Sequence, residues 1–169
     1  MTQKQLKLLE QLEIGAIDLD TLDKQFGVEL WGNLSFIEAE IDQAIEKGDR
    51  EELNTIIPLI YFIVPAKKRL GLLHKLLLYP YHNHHQSITK DIQDLANAES
   101  VPYIQKALEM GFGHLDYTCS EDGTIAKWFS WALYTIGTGE AINLLQKFSE
   151  SDNEEIREEM LYRLSKIED

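Results

Sequence analysis

A single cysteine, Cys119, is all the thiol this chain has, which excludes an internal disulfide framework and a cysteine-rich zinc site. It stands beside Ser120, Glu121 and Asp122, and acidic neighbours disfavour the thiolate that a nucleophile needs. Long hydrophobic runs are also missing. The longest, over 56–64, contains Pro58 and is about half the roughly 20 residues a membrane helix requires. The first ten positions hold no uninterrupted apolar stretch and no small-residue cleavage site, so they do not read as a secretory signal. A soluble cytoplasmic protein in a reducing compartment, with no membrane partner, is the expectation. Gly-rich phosphate loops, serine-nucleophile elbows and Cys-x-x-Cys pairs are absent from the sequence, and no enzyme activity or cofactor is expected.

Cations are scarce: 16 Lys and Arg stand against 29 Asp and Glu, a formal net charge of −13. Such a surface repels phosphate backbones and anionic lipid. No nucleic-acid partner is expected, and a basic protein is the natural complement. The plain reading of the same acidity is solubility, including that of the tail face Glu150, Asp152, Glu154, Glu155, Glu158 and Glu159.

No stretch alternates apolar and polar residues with β-branched bias, so no strand is expected. What is present is helical periodicity. Positions 3–14 and 18–26 form two short helices, the second acidic, ended by Gly15 and Gly27 and with Asp18 or Asp20 as a cap. Leu34, Ile37, Ile41, Ala44 and Ile45 mark a helix to Lys47, closed by Gly48. Asp49 caps the next, in which Pro58 should kink or break the helix. Pro65 opens another that carries Leu70, Leu73, Leu76 and Leu77. A histidine-rich link over 81–85 leads to a helix over 87–97, and Ser100 caps one over 101–110. The longest irregular stretch is 114–123, with Asp122-Gly123 as its turn signal. Ile125, Phe129, Ala132, Leu133 and Ile136 then give the clearest stripe; Gly137 stops it and Thr138 starts the next helix. The last, over 154–166, buries Ile156, Met160, Leu161, Leu164 and Ile167. The chain is therefore expected to be all-α, with roughly nine or ten helices, in a single domain over 1–169: a possible N-terminal cap over 1–29 and helix-pair repeats over 30–169.

Sliding the chain on itself supports the repeats. A shift of 40 pairs Val101 with Ala141, Ile104 with Leu144 and Leu108 with Phe148; a shift of 31 lays Ile125 and Phe129 over Ile156 and Met160. The passage from Trp131 to Ile142, with Ile136-Gly137 and Glu140-Ala141-Ile142, then Leu144-Leu145 and the run from Asp152 to Arg157, resembles the HEAT-repeat family, in particular its short phycobilisome-lyase-like units. The resemblance implies a right-handed α-solenoid of HEAT-like helix pairs. With the aromatic-histidine segment over 81–88 and Asp116-Tyr117, the chain is also similar to small bacterial HEAT-type proteins taken to be immunity proteins of polymorphic toxins, although Gln86 stands where those have an acid. That implies a non-catalytic module that masks a basic toxin domain.

Two candidate sites follow. Tyr117, Glu121, Asp122, Trp128 and Trp131 are the expected partner-binding residues, Trp and Tyr being usual interface anchors and the acids suiting a basic partner; Trp31 and Tyr134 could extend the strip. His82, His84 and His85 with Asp116 form a polar or metal-like cluster, to which His74 or His114 could add. On the second reading these histidines line the pocket of a small-ligand or chromophore lyase or chaperone. A base-repair solenoid is a third reading, and it would need a basic groove that the composition does not supply.

Overall fold

A computed structural model describes residues 1–167, and the last two positions of the expected domain lie outside them. Those residues form ten α-helices and three short 3-10 turns, with no strand among them. They divide into two compact units, 1–69 and from Leu70 onward.

The first unit comprises α1 (Gln3–Glu13), α2 (Leu19–Phe26), α3 (Leu34–Lys47) and α4 (Arg50–Ile63), then a 3-10 turn over Ala66–Lys68. Asp18 accepts from the Thr21 N–H (2.8 Å) and Asp49 from the Glu52 N–H (2.9 Å), both as caps. Pro58 was expected to kink or break α4; one helix runs through it without a break. The surrounding side chains explain this: Leu53, Ile56, Ile57, Leu59 and Ile60 are all buried. Burying each stabilises by about 1.5–3 kcal/mol, so together they exceed the roughly 3 kcal/mol an interior proline costs. Pro65 precedes the 3-10 turn and opens no α-helix. α1 packs on α2 and α4, and α3 on α4.

The second unit comprises α5 (Leu70–Leu77), α6 (His85–Leu95), α7 (Val101–Met110), α8 (Asp122–Ile136), α9 (Gly139–Phe148) and α10 (Glu154–Ser165). Consecutive helices pair as α5 with α6, α7 with α8 and α9 with α10. The odd-numbered helices neighbour one another in succession, and so do the even-numbered ones, giving two layers. Ile88, Ile92, Ile104, Phe129, Leu133, Leu145 and Met160 fill the space between them. Gly137 holds φ +64 between α8 and α9, and Thr138 accepts from the Ala141 N–H (3.3 Å), as their spacing requires.

Three local expectations are corrected. α10 does not bury Leu161, which is 51% exposed, or Ile167; Arg163 takes the inward position with Ile156 and Met160. Ser100 precedes α7 but caps nothing with its side chain. The irregular stretch over 114–123 contains a 3-10 turn, Gly113–Thr118, and Asp122-Gly123 already belongs to α8.

Candidate functional site

The histidines are gathered, but by each other and by backbone. His82 and His85 are 0% and 1% exposed, and their rings stack with centroids 4.0 Å apart. The His82 Nδ1 accepts from the His84 N–H (3.1 Å), which leaves the ring proton on Nε2 to be donated to the Leu76 carbonyl (2.8 Å). His85 donates from Nε2 to the Tyr79 carbonyl (3.0 Å). Its Nδ1 faces the Tyr117 hydroxyl (3.1 Å), and the same hydroxyl oxygen accepts from the His85 N–H (3.1 Å). All four ring nitrogens are thus engaged in neutral tautomers. Burial pushes the His85 pKa down to about 3, helped by the nearby His82 and His114 rings. Burial also lowers that of His114.

Asp116 is exposed on the 3-10 turn. Among the described residues no three His, Cys, Asp or Glu side chains are grouped to hold a metal ion. What the sequence marks as metal-like is a corner clasp between the end of α5 and the start of α6. His74 lies elsewhere: its Nε2 meets the Ser100 Oγ (2.9 Å) and its ring stacks on Tyr103 at 3.9 Å. A His–Ser pair has the look of base and nucleophile, but the serine is fully covered. No substrate reaches it.

The five expected contact residues fall on different local features. Tyr117 is half-buried and holds His85. Asp122 accepts from the Asn153 side-chain amide (2.6 Å), tying the start of α8 to the start of α10. Glu121 lines a recess of ≈ 520 Å³ with Gly123, Thr124, Glu155, Glu158, Glu159 and Tyr162. Within it the Glu155 carboxylate accepts from the Gly123 N–H (2.6 Å), in place of a side-chain cap on α8. Trp128 and Trp131 instead border a groove of ≈ 430 Å³ between α6 and α8.

Under Trp131 lies a residue the sequence reading passed over. Arg163 is 2% exposed, its guanidinium 3.9 Å from the centre of the Trp131 ring, and Trp131 itself stays 39% exposed. Arg163 donates to the Glu159 carboxylate (2.8 Å) and from Nε to the Ser130 Oγ (3.3 Å), while Ser130 donates to Glu159 (2.6 Å). The sequence did hold a signal: Arg163 falls three after Met160 and seven after Ile156, on the inward stripe, with a carboxylate four residues before it.

No family model, curated protein or solved structure matches the chain.

Proposed function

We propose that this chain is a non-catalytic protein-binding module, a right-handed α-solenoid of HEAT-like helix pairs that masks a basic partner by occlusion. The partner is a toxin domain on the immunity reading that the resemblance implies. The pairing of α5 with α6, α7 with α8 and α9 with α10, each stacked on the next, is what a helix-pair repeat requires and supports the solenoid.

One observation carries the binding role. The recess between the starts of α8 and α10 gathers the carboxylates of Glu121, Glu155, Glu158 and Glu159 around Tyr162, which is 55% exposed. Glu155 and Glu159 are spoken for by Gly123 and Arg163, so they brace the site. Glu121 and Glu158 make no ion pair among the described residues. A Lys or Arg of a partner would meet two unengaged carboxylates, the chemistry of a charge-assisted hydrogen bond.

The test is capture from lysate by the tagged chain and by its Glu121→Lys/Glu158→Lys variant, at low and high salt. A basic protein held by the parent, released by salt and lost in the variant supports the reading. Equal capture by both chains would sink it.

A further inference from the structure

The groove between α6 and α8 has the opposite character to the recess. Gln86, Ser87, Lys90 and Gln93 of α6 line one side, and Lys127, Trp128 and Trp131 of α8 the other. In a chain with 13 more acids than bases, no carboxylate lines it and its charged groups are both lysines. Lys90 pairs with the exposed Asp94 one turn on, whereas Lys127 makes no ion pair among the described residues. The Arg163 guanidinium, its charge met by Glu159, covers one side of the Trp131 ring at 3.9 Å, and the ring stays 39% exposed.

The shape is a trough. Gln86, Lys90 and Gln93 are spaced four and three residues apart, one face of a helix over two turns, or about 10 Å. A trough of that length receives side chains spaced three and four apart on a docked helix. Its volume, ≈ 430 Å³, falls in the range of sites that bury compact groups, about 300–1,000 Å³.

The geometry points to a docking groove for an acidic amphipathic helix of a partner protein. One bulky apolar side chain rests on Trp128 and Trp131, and carboxylates a turn to either side meet Lys90 and Lys127. A nucleic-acid strand would carry its phosphates beyond the groove onto the acidic surface of a −13 chain, whereas a short helix can keep its few carboxylates within reach of Lys90 and Lys127. This site goes beyond the masking of a basic partner. It uses another stretch of α8 and the opposite charge, so either can fail without the other.

The experiment follows the three indole N–H signals of the full chain by NMR; Trp31, in the other unit, serves as internal control. The probes are helical peptides with a central Leu or Phe and Glu three and four residues to either side, beside matched peptides with Lys in place of Glu. The acidic set should shift Trp128 and Trp131, spare Trp31 and weaken with salt. Lys127→Glu, at an exposed position, should weaken it by at least about threefold. Equal response to both sets, or no response to the acidic one, overturns the proposal. So does a shift produced only by oligothymidylate, which would make the groove a nucleic-acid site, or a shift with protein concentration alone, which would make a second copy the occupant.

Discussion

Arg163 shows what a single side chain can decide. Its charge is buried against Glu159, Ser130 and Trp131, where removing one partner leaves the other uncompensated. Arg163→Ala should therefore cost roughly 3–5 kcal/mol in urea unfolding. An Arg163→Met/Glu159→Met double variant, which removes both charges and keeps volume, should recover much of that; failure to recover any would mean that the stacking on Trp131 dominates. His85 sets a pH dependence. Its folded pKa is about 3 against the ordinary 6.5, so below about pH 6.5 the unfolded chain takes up a proton that the folded chain refuses. Stability is full above that point and declines as pH falls toward 3. His85→Gln, which keeps a donor for the Tyr79 carbonyl, should show a shallower fall of the urea midpoint between about pH 7 and pH 4 than the parent. Parallel curves would show that the clasp does not govern it. Neither network was fully legible. The sequence marks the histidines and the inward register of Arg163, but not which atoms satisfy them, because those partners come from backbone carbonyls and a second helix.

At the scale of elements, the ends of helices were written plainly. Asp18, Asp49 and Thr138 accept the N–H bonds their positions predict, and Gly27, Gly48 and Gly137 take left-handed stops. Local chemistry fixes such ends, so local sequence reveals them. Where tertiary contacts compete, the sequence says less: Pro58 allowed a kink or a break and α4 has no break, and the Ser100 hydroxyl is diverted from its cap to His74. The 31-residue shift lays α8 over α10 as successive units, but the polar bonds that join them were invisible, since an apolar stripe says what is buried and not which atoms meet. One of them is made by Asn153, whose carbonyl oxygen caps the Glu155 and Ile156 N–H groups while its amide reaches Asp122. Asn153→Ala should cost about 1–2 kcal/mol. Hydrogen exchange should quicken first at the start of α10, and unchanged protection there would remove Asn153 from the account.

Taken whole, the described chain is two compact units, and that from Leu70 onward has a continuous core from Leu73 to Met160. A chain of about that size buries enough surface to fold alone. Residues 70–169 expressed alone should give a helical spectrum and one cooperative urea transition; a non-cooperative slope would show dependence on the first unit. Within this unit the histidine corner bears on the order in which the molecule forms. The bonds from His82 to Leu76 and from His85 to Tyr79 each span six residues, whereas that from His85 to Tyr117 spans 32. Closing a short loop costs less chain entropy than closing a long one, so α5 and α6 can meet as a local hairpin before Tyr117 arrives. Tyr117→Phe should then accelerate unfolding and leave the folding rate nearly untouched, while His82→Ala should slow folding. The corner that holds the two helices together is thus also an early foothold from which the remaining helices are laid down.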